Sequence, residues 1–290
     1  MRSLKLITGY TCNNSCAFCW DREYRGAVPD KSYRAVLGEL AAARRAGAEA
    51  VDVLGGESTL RKDIFAIFEA AKRLGFRQRL LTTNGWMFAD GRFVKALLRA
   101  GVTEVRFSVH GDRASVHDAL TGTRGGFARI LKGVANLRAA GFSCVSANTT
   151  VVRENAARLP KIGKLLKRLG MTKWNIIYVG ERPGKMPHTP RVSEAAPAIL
   201  ECLRAGDPDA TLINAPVPCF FREAADKVEM FERQARQYVS GRGRYRKADR
   251  EKHPEKRRIP ACRRCAMRGG CDGVYAAYVE KFGEEELPPA

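Results

Sequence analysis

Leu4-Lys5-Leu6-Ile7-Thr8-Gly9-Tyr10-Thr11-Cys12-Asn13-Asn14-Ser15-Cys16-Ala17-Phe18-Cys19 is an apolar stretch, Leu4–Ile7, that runs into a polar turn with three cysteines. The spacing is Cys-x3-Cys-x2-Cys. Three thiolates can grip three irons of a [4Fe–4S] cube and leave the fourth iron without a protein ligand. A structural cluster has four cysteine ligands, and a structural zinc closes four ligands around itself. A triplet that stops at three points to an open metal position used for chemistry. On spacing alone, a zinc knuckle and three unrelated buried thiols remain as alternatives.

The same order, apolar strand and then polar loop, repeats along the chain. β-Branched runs occur at Leu4–Thr8, Ala50–Leu54, Arg79–Thr83, Thr103–Val109, Phe142–Val152 and Lys173–Val179. Helical periodicity lies between them. Ile64, Ile67, Phe68 and Ala71 fall at i, i+3, i+4 and i+7, as do Ile162, Leu165, Leu166 and Leu169, with similar spacing around Leu37–Ala41, Val94–Leu98 and Ile130–Leu137. Gly47, Gly75, Gly101, Gly141 and Gly170 sit where helix C-caps belong. The alternation predicts an α/β fold with a helix-covered parallel sheet. Six repeats are too few for a closed eight-stranded barrel and suit an open, partial (β/α)6 TIM-like barrel. Function then belongs at the C-terminal ends of the strands.

The polar motifs fall on that edge. The cysteine triplet follows the first strand, Gly55-Gly56-Glu57 the second, Thr83-Asn84-Gly85 the third and Ser108-Val109-His110-Gly111 the fourth. Cys12-Asn-Asn-Ser-Cys16-Ala-Phe-Cys19, with an aromatic residue, Phe18, just before the third cysteine, resembles the cluster motif of the radical S-adenosylmethionine (SAM) enzymes. The resemblance implies that Cys12, Cys16 and Cys19 hold a [4Fe–4S] cluster, and that Gly55, Gly56 and Glu57 bind the amino group of SAM. Glycine has no Cβ, so backbone carbonyls there can approach a ligand closely. By position Thr83 and Asn84 are the residues expected at the methionine end, and Ser108 the one expected to bind a ribose hydroxyl. Asn148 and Asn155, in Asn148-Thr-Thr-Val-Val-Arg-Glu-Asn155, are the polar contacts expected beside the adenosine. Each of these also reads as a strand-end polar residue capping the next helix. His110 reads equally as a proton donor or a cap.

Beyond the sixth strand the composition changes, which divides the chain into a barrel, 1–180, and an extension, 181–290. Gly180–Pro190 reads as a loop, Val192–Ala205 and Phe221–Val239 as helices. Gly241–Arg258 holds nine Lys/Arg against three acids; such a run is usually solvated, and a clamp for an acidic substrate is the second reading. Then comes Cys262-x2-Cys265-x5-Cys271, preceded by Cys219 in Pro-Val-Pro-Cys-Phe. Four cysteines also make a closed zinc site. In a chain that resembles radical SAM enzymes, however, this group looks like the auxiliary-cluster extensions called SPASM and twitch domains. The position four after Cys271 is Tyr275, and four cysteines, Cys202 aside, suit one auxiliary [4Fe–4S] cluster, either with Cys219 as its fourth ligand or with a site left open for substrate. Arg263, Arg264 and Arg268 could offset its negative charge.

Composition bounds the setting. Nine cysteines, six of them in two tight groups, suit a reducing cytosol better than a disulfide framework. Cys144 and Cys202 read as core thiols. With no 18-residue apolar run and no leader, a cytoplasmic protein without membrane attachment is expected. The net charge of +20 suits polyanions, but no basic motif of a known RNA module appears, so a solvated arginine-rich surface ranks above a nucleic-acid partner. What the resemblance implies is reductive cleavage of SAM, with an electron from a partner such as flavodoxin or ferredoxin, and hydrogen abstraction by the 5′-deoxyadenosyl radical. The favoured substrate is a ribosomally made peptide that is oxidised or cross-linked. With eleven residues before Cys12, a fused peptide-recognition domain is not expected there. A small molecule or nucleotide, for a dehydrogenase or cyclase, ranks second. A non-enzymatic zinc or nucleic-acid binding protein is the remote third.

Overall fold

Strand β1 (Ser3–Ile7) buries Leu4 and Leu6 completely and turns Lys5 and Ile7 to the other face, the period-2 pattern of a sheet with unlike sides. The computed structural model describes residues 1–179, 187–229, 238–240, 243–244, 256–269, 271, 273–284 and 286. After β1 come α1 (Tyr33–Arg45), β2 (Ala50–Leu54), α2 (Ile64–Arg73), β3 (Gln78–Thr83), α3 (Gly91–Ala100) and β4 (Glu104–Ser108). Two helices, α4 (Ala114–Thr121) and α5 (Gly126–Ala139), lead to β5 (Val145–Val151); α6 (Leu159–Arg168) leads to β6 (Lys173–Tyr178), and α7 (Val192–Ala205) to β7 (Asp209–Ile213). Short strands β8 (Val228–Glu229), β9 (Tyr238–Ser240) and β10 (Gly243–Arg244) complete one sheet.

Its order is β10-β9-β1-β2-β3-β4-β5-β6-β7-β8, and every pair but β9–β10 is parallel. Strands that neighbour in sequence neighbour in space, so each helix crosses over in one direction and the sheet curls as a partial barrel. One face of β4, Val105 and Phe107, is fully buried against the helices, where Phe107 stacks edge-on with Phe88 at 5.2 Å. The other face carries Glu104, Arg106 and Ser108 into the lumen. The five predicted capping glycines all take left-handed φ, from +64° to +100°.

Several expectations need correction. The sheet runs past six strands: β7 and β8 lie beyond residue 180 and extend the same edge. The expected helix over Phe221–Val239 is instead a 3-10 segment, Pro218–Lys227, followed by β8; non-helical angles at Phe221 and Ala224 break the turn, and 230–237 lie outside the described residues. Cys144 is exposed at the foot of β5 rather than in the core, whereas Cys202 is buried on α7 and its thiol is pushed up to about 12 by that burial. Most of the basic run 241–258, and 180–186 of the expected loop, lie outside the described residues. Among the described residues, no helix is long and apolar enough to cross a membrane.

Candidate active site

Two loops at the C-terminal ends of β1 and β2 are zipped together by backbone. Gly56 N–H donates to Gly9 O at 2.8 Å and Glu57 N–H to Thr11 O at 2.7 Å. This contact explains the double glycine. A Cβ on Gly55 would stand 2.4 Å from Gly9 O, and one on Gly56 would stand 2.2 Å from Thr11 O. The glycines are thus needed first to seat the cysteine loop.

Glu57 is 3% exposed and fully engaged with the protein. Its Oε1 accepts from Thr59 N–H (3.1 Å), Thr59 O–H (2.6 Å) and Thr83 O–H (2.9 Å), and its Oε2 accepts from Asn84 N–H (2.6 Å). Burial pushes the carboxyl above its ordinary value, against the pull of those bonds. Thr83 points toward Glu57 and away from the lumen. Asn84 reaches the cysteine loop, with Nδ2 2.7 Å from Asn13 Oδ1 and 4.0 Å from Cys12 Sγ. Glu57→Gln places an amide N–H against groups that already donate. We expect a loss of about 1.5–3 kcal/mol in stability and a ten- to hundredfold weaker SAM affinity, by denaturant unfolding and SAM titration. No change in either would remove Glu57 from the role of holding this edge.

The three cysteines share one half-buried turn. Burial, and then repulsion from Cys19 and Cys12, push the Cys16 thiol up to about 12, and burial also raises Cys12. Among the described residues no three His, Cys, Asp or Glu side chains could hold one metal ion together. Three thiols on one turn, close enough that Cys12 and Cys19 act on Cys16, are the soft donor set that an iron–sulfur cluster takes. The loop is anchored at its far side by Ser15 N–H to Thr121 O and Ala17 N–H to Leu120 O, both 2.9 Å. Phe18, partly buried, packs with Leu120, Val152 and Val179 and meets the His110 ring edge-on at 4.8 Å.

Sequence reasoning left His110 undecided and passed over His117. Both are buried. His110 Nδ1 accepts from Thr150 N–H and His117 Nδ1 from His110 N–H, each at 3.2 Å, which suits neutral rings. Burial pushes His110 to about 3 and His117 to about 4, from 6.5. The unfolded chain binds protons near 6.5 and the folded chain does not, so stability rises with pH through this window and is lost as pH falls below 6.5. Denaturant unfolding at pH 5 should show a loss on the order of 2 kcal/mol per imidazole relative to neutral pH, and the double variant His110→Gln/His117→Gln should flatten that slope.

Asn155 is fully buried; its amide donates to His110 O and Thr150 O, and its Oδ1 accepts from Val152 N–H. It therefore locks the turns after β4 and β5. Ser108 and Asn148 are register partners on the lumen face, half-buried, and Asn148 Oδ1 accepts from Asn175 Nδ2 at 2.9 Å. Deeper in the lumen lies a charged network. Arg106 donates to Glu104 and Ser146, at 3.0 and 3.1 Å, and faces Asp52 at 3.8 Å; Thr82 donates to Asp52 at 2.9 Å. Burial raises the Asp52 carboxyl, with Arg106 opposing, and desolvation lowers Lys5. Charged residues at alternate positions of a central parallel strand were the available signal, because such strands normally read as unbroken apolar runs.

The second cysteine group converges around Cys219. Repulsion from Cys265, Cys271 and Cys262 acts on Cys219, whose thiol burial has pushed to about 11. Cys262 lies on a 3-10 turn, Pro260–Arg264, with Cys265 at its end, and β11 (Lys256–Arg257) pairs antiparallel with β12 (Val274–Tyr275). Tyr275 N–H donates to Pro216 O at 3.0 Å and so ties this unit to the segment bearing Cys219. A Cβ on Gly273 would stand 2.3 Å from Arg257 O, so only glycine fits between the strands. Arg263, Arg264 and Arg268 are exposed.

Residues 6–166 match the family described as the Radical SAM superfamily. That is more than half of the 290 residues, and the chain belongs to this superfamily. Members bind SAM at a [4Fe–4S] cluster, and these are the cofactors of this chain. A relative from Saccharolobus islandicus, described as "Probable GTP 3',8-cyclase", is 28% identical over 177 residues, 61% of this chain and 56% of its own length. The chain thus spans about half the length of that relative. Among solved structures, Streptococcus suis SuiB bound to its precursor peptide SuiA aligns with a TM-score of 0.69 at 14% identity, covering 99% of this chain and 74% of that one. Native anSMEcpe with bound SAM aligns at 0.70 and 13%, covering 99% and 92%. At such identities the likeness is one of fold, and it extends through the C-terminal cysteine unit.

Proposed function

We propose that this protein reductively cleaves SAM and uses the resulting 5′-deoxyadenosyl radical to abstract hydrogen from a ribosomally made peptide, which it oxidises or cross-links. One observation carries the peptide: the fold shared with SuiB and anSMEcpe covers 99% of the chain, C-terminal cysteine unit included, and the SuiB structure holds a precursor peptide. When bound, the N-terminal cluster supplies the electron that breaks the sulfonium bond; the hard chemistry is the cofactor's. The residues of this chain hold and orient. Cys12, Cys16 and Cys19 ligate, Glu57 with Asn84 fixes the loop edge against the cysteine turn, and Ser108 and Asn148 offer polar contacts to the adenosine. The lumen network around Arg106 gives the barrel floor fixed charges on which a polar chain can be positioned. Cys219, Cys262, Cys265 and Cys271 hold the auxiliary cluster, as electron acceptor or substrate anchor. A small reductant protein such as flavodoxin or ferredoxin supplies the electron.

A nucleotide substrate is the second reading, favoured by the barrel's sequence likeness to a GTP cyclase. Anaerobic incubation with SAM, dithionite and either GTP or peptides encoded beside the gene separates the two. A peptide that loses two hydrogens supports maturation. Consumption of GTP with all peptides untouched would replace it.

A further inference from the structure

Arg25, six residues past the third cysteine, reaches back over the cysteine turn. Its Nη1 donates to Asn14 O, and its Nη2 lies 3.7 Å from Cys19 Sγ. Its Nε is buried and, among the described residues, is the buried side-chain polar atom left without a partner. Buried donors are normally satisfied, and an orphan in a native structure calls for an explanation. Neighbouring Arg22 behaves differently: it donates to the carbonyls of Ser15 and Cys16, at 3.2 and 2.6 Å, and so shapes the loop. Arg25 also lies within electrostatic reach of Cys12 and Cys16, where its charge favours the thiolate. One guanidinium therefore addresses all three cysteines.

We infer that Arg25 is the hydrogen-bond donor and counter-charge of the N-terminal cluster, its Nη2 serving the Cys19 thiolate and its Nε a further sulfur of the cluster. This rests on the triplet holding a [4Fe–4S] cluster. Hydrogen bonds to the sulfurs and net charge set the reduction potential of such clusters. Reduction adds one negative charge, so a cation held against the thiolates stabilises the reduced form and raises the potential. Arg25 would thus keep the cluster within reach of its reductant.

The test uses the full chain, reconstituted anaerobically as wild type, Arg25→Met and Arg25→Lys. Iron and sulfide are counted, and the N-terminal cluster, recognised as the one whose EPR signal SAM perturbs, is titrated with dithionite and mediators. Arg25→Met should lower the equilibrium constant for reduction about tenfold or more, equivalent to about 59 mV for one electron. Arg25→Lys, which keeps the charge but loses Nε and the planar fork, should fall between. The exchangeable-proton coupling from the Arg25 N–H should vanish from the pulsed EPR spectrum in both. Full cluster content with an unmoved potential in both variants would overturn the inference. If Arg25→Met fails to assemble its cluster, Arg25→Lys decides: an unmoved potential and an unchanged proton coupling refute it. A wild type that assembles no SAM-responsive cluster is a separate result, and it removes the cluster assignment itself together with this inference.

Discussion

Replacing Cys12, Cys16 and Cys19 together by alanine is expected to abolish production of 5′-deoxyadenosine from SAM under dithionite. The three thiols are the described donors on the turn that Gly55 and Gly56 clamp and Phe18 anchors. No nearby group replaces them: Asn13 and Asn84 are spent on each other, and Glu57 is saturated. The C-terminal iron should remain, because that unit hangs from Pro216 and the β11–β12 pair rather than from the cysteine loop. Cleavage at any rate above the metal-free background would refute the assignment of the cluster to this turn.

The second large effect is expected at the other cysteine group. With Cys262, Cys265 and Cys271 replaced by alanine, iron should fall to about half, from about eight to about four per chain. Unproductive SAM cleavage should persist while substrate turnover stops, since the electron acceptor or anchor is lost. The outcome for a mere staple is distinct. A metal site that only holds a small unit together contributes much of its folding energy, and the variant would then unfold or precipitate. A soluble variant with full iron and normal product would contradict both.

Much of this architecture was legible because its determinants are local. The strand runs Ala50–Leu54 and Lys173–Val179 and the helix Val192–Ala205 coincide with the observed elements to within a residue, since burial on one face and glycine at the helix ends both leave a short-range record. What escaped detection depends on contacts between segments distant in sequence. The Asp209–Ile213 strand is only five residues long and becomes recognisable by pairing with β6. Phe221 and Ala224 look helical by spacing, but it is at these two residues that the backbone leaves helical angles and breaks the Pro218–Lys227 segment. At the site, the cysteines and the Gly-Gly-Glu segment could be read as motifs. That Glu57 is spent on the protein's own N–H and O–H groups and Asn155 on backbone carbonyls and an N–H, and that Arg25 folds back over the thiols, could not, because no spacing rule encodes those partners.

The most direct test of the central claim is the EPR spectrum of the dithionite-reduced Cys262/Cys265/Cys271→Ala variant, recorded with and without SAM. That variant should carry only the cluster on Cys12, Cys16 and Cys19. If the open iron binds SAM, its signal should shift when SAM is added. A reduced cluster whose spectrum is identical with and without saturating SAM, or a protein that holds stoichiometric zinc and no cluster, would contradict it.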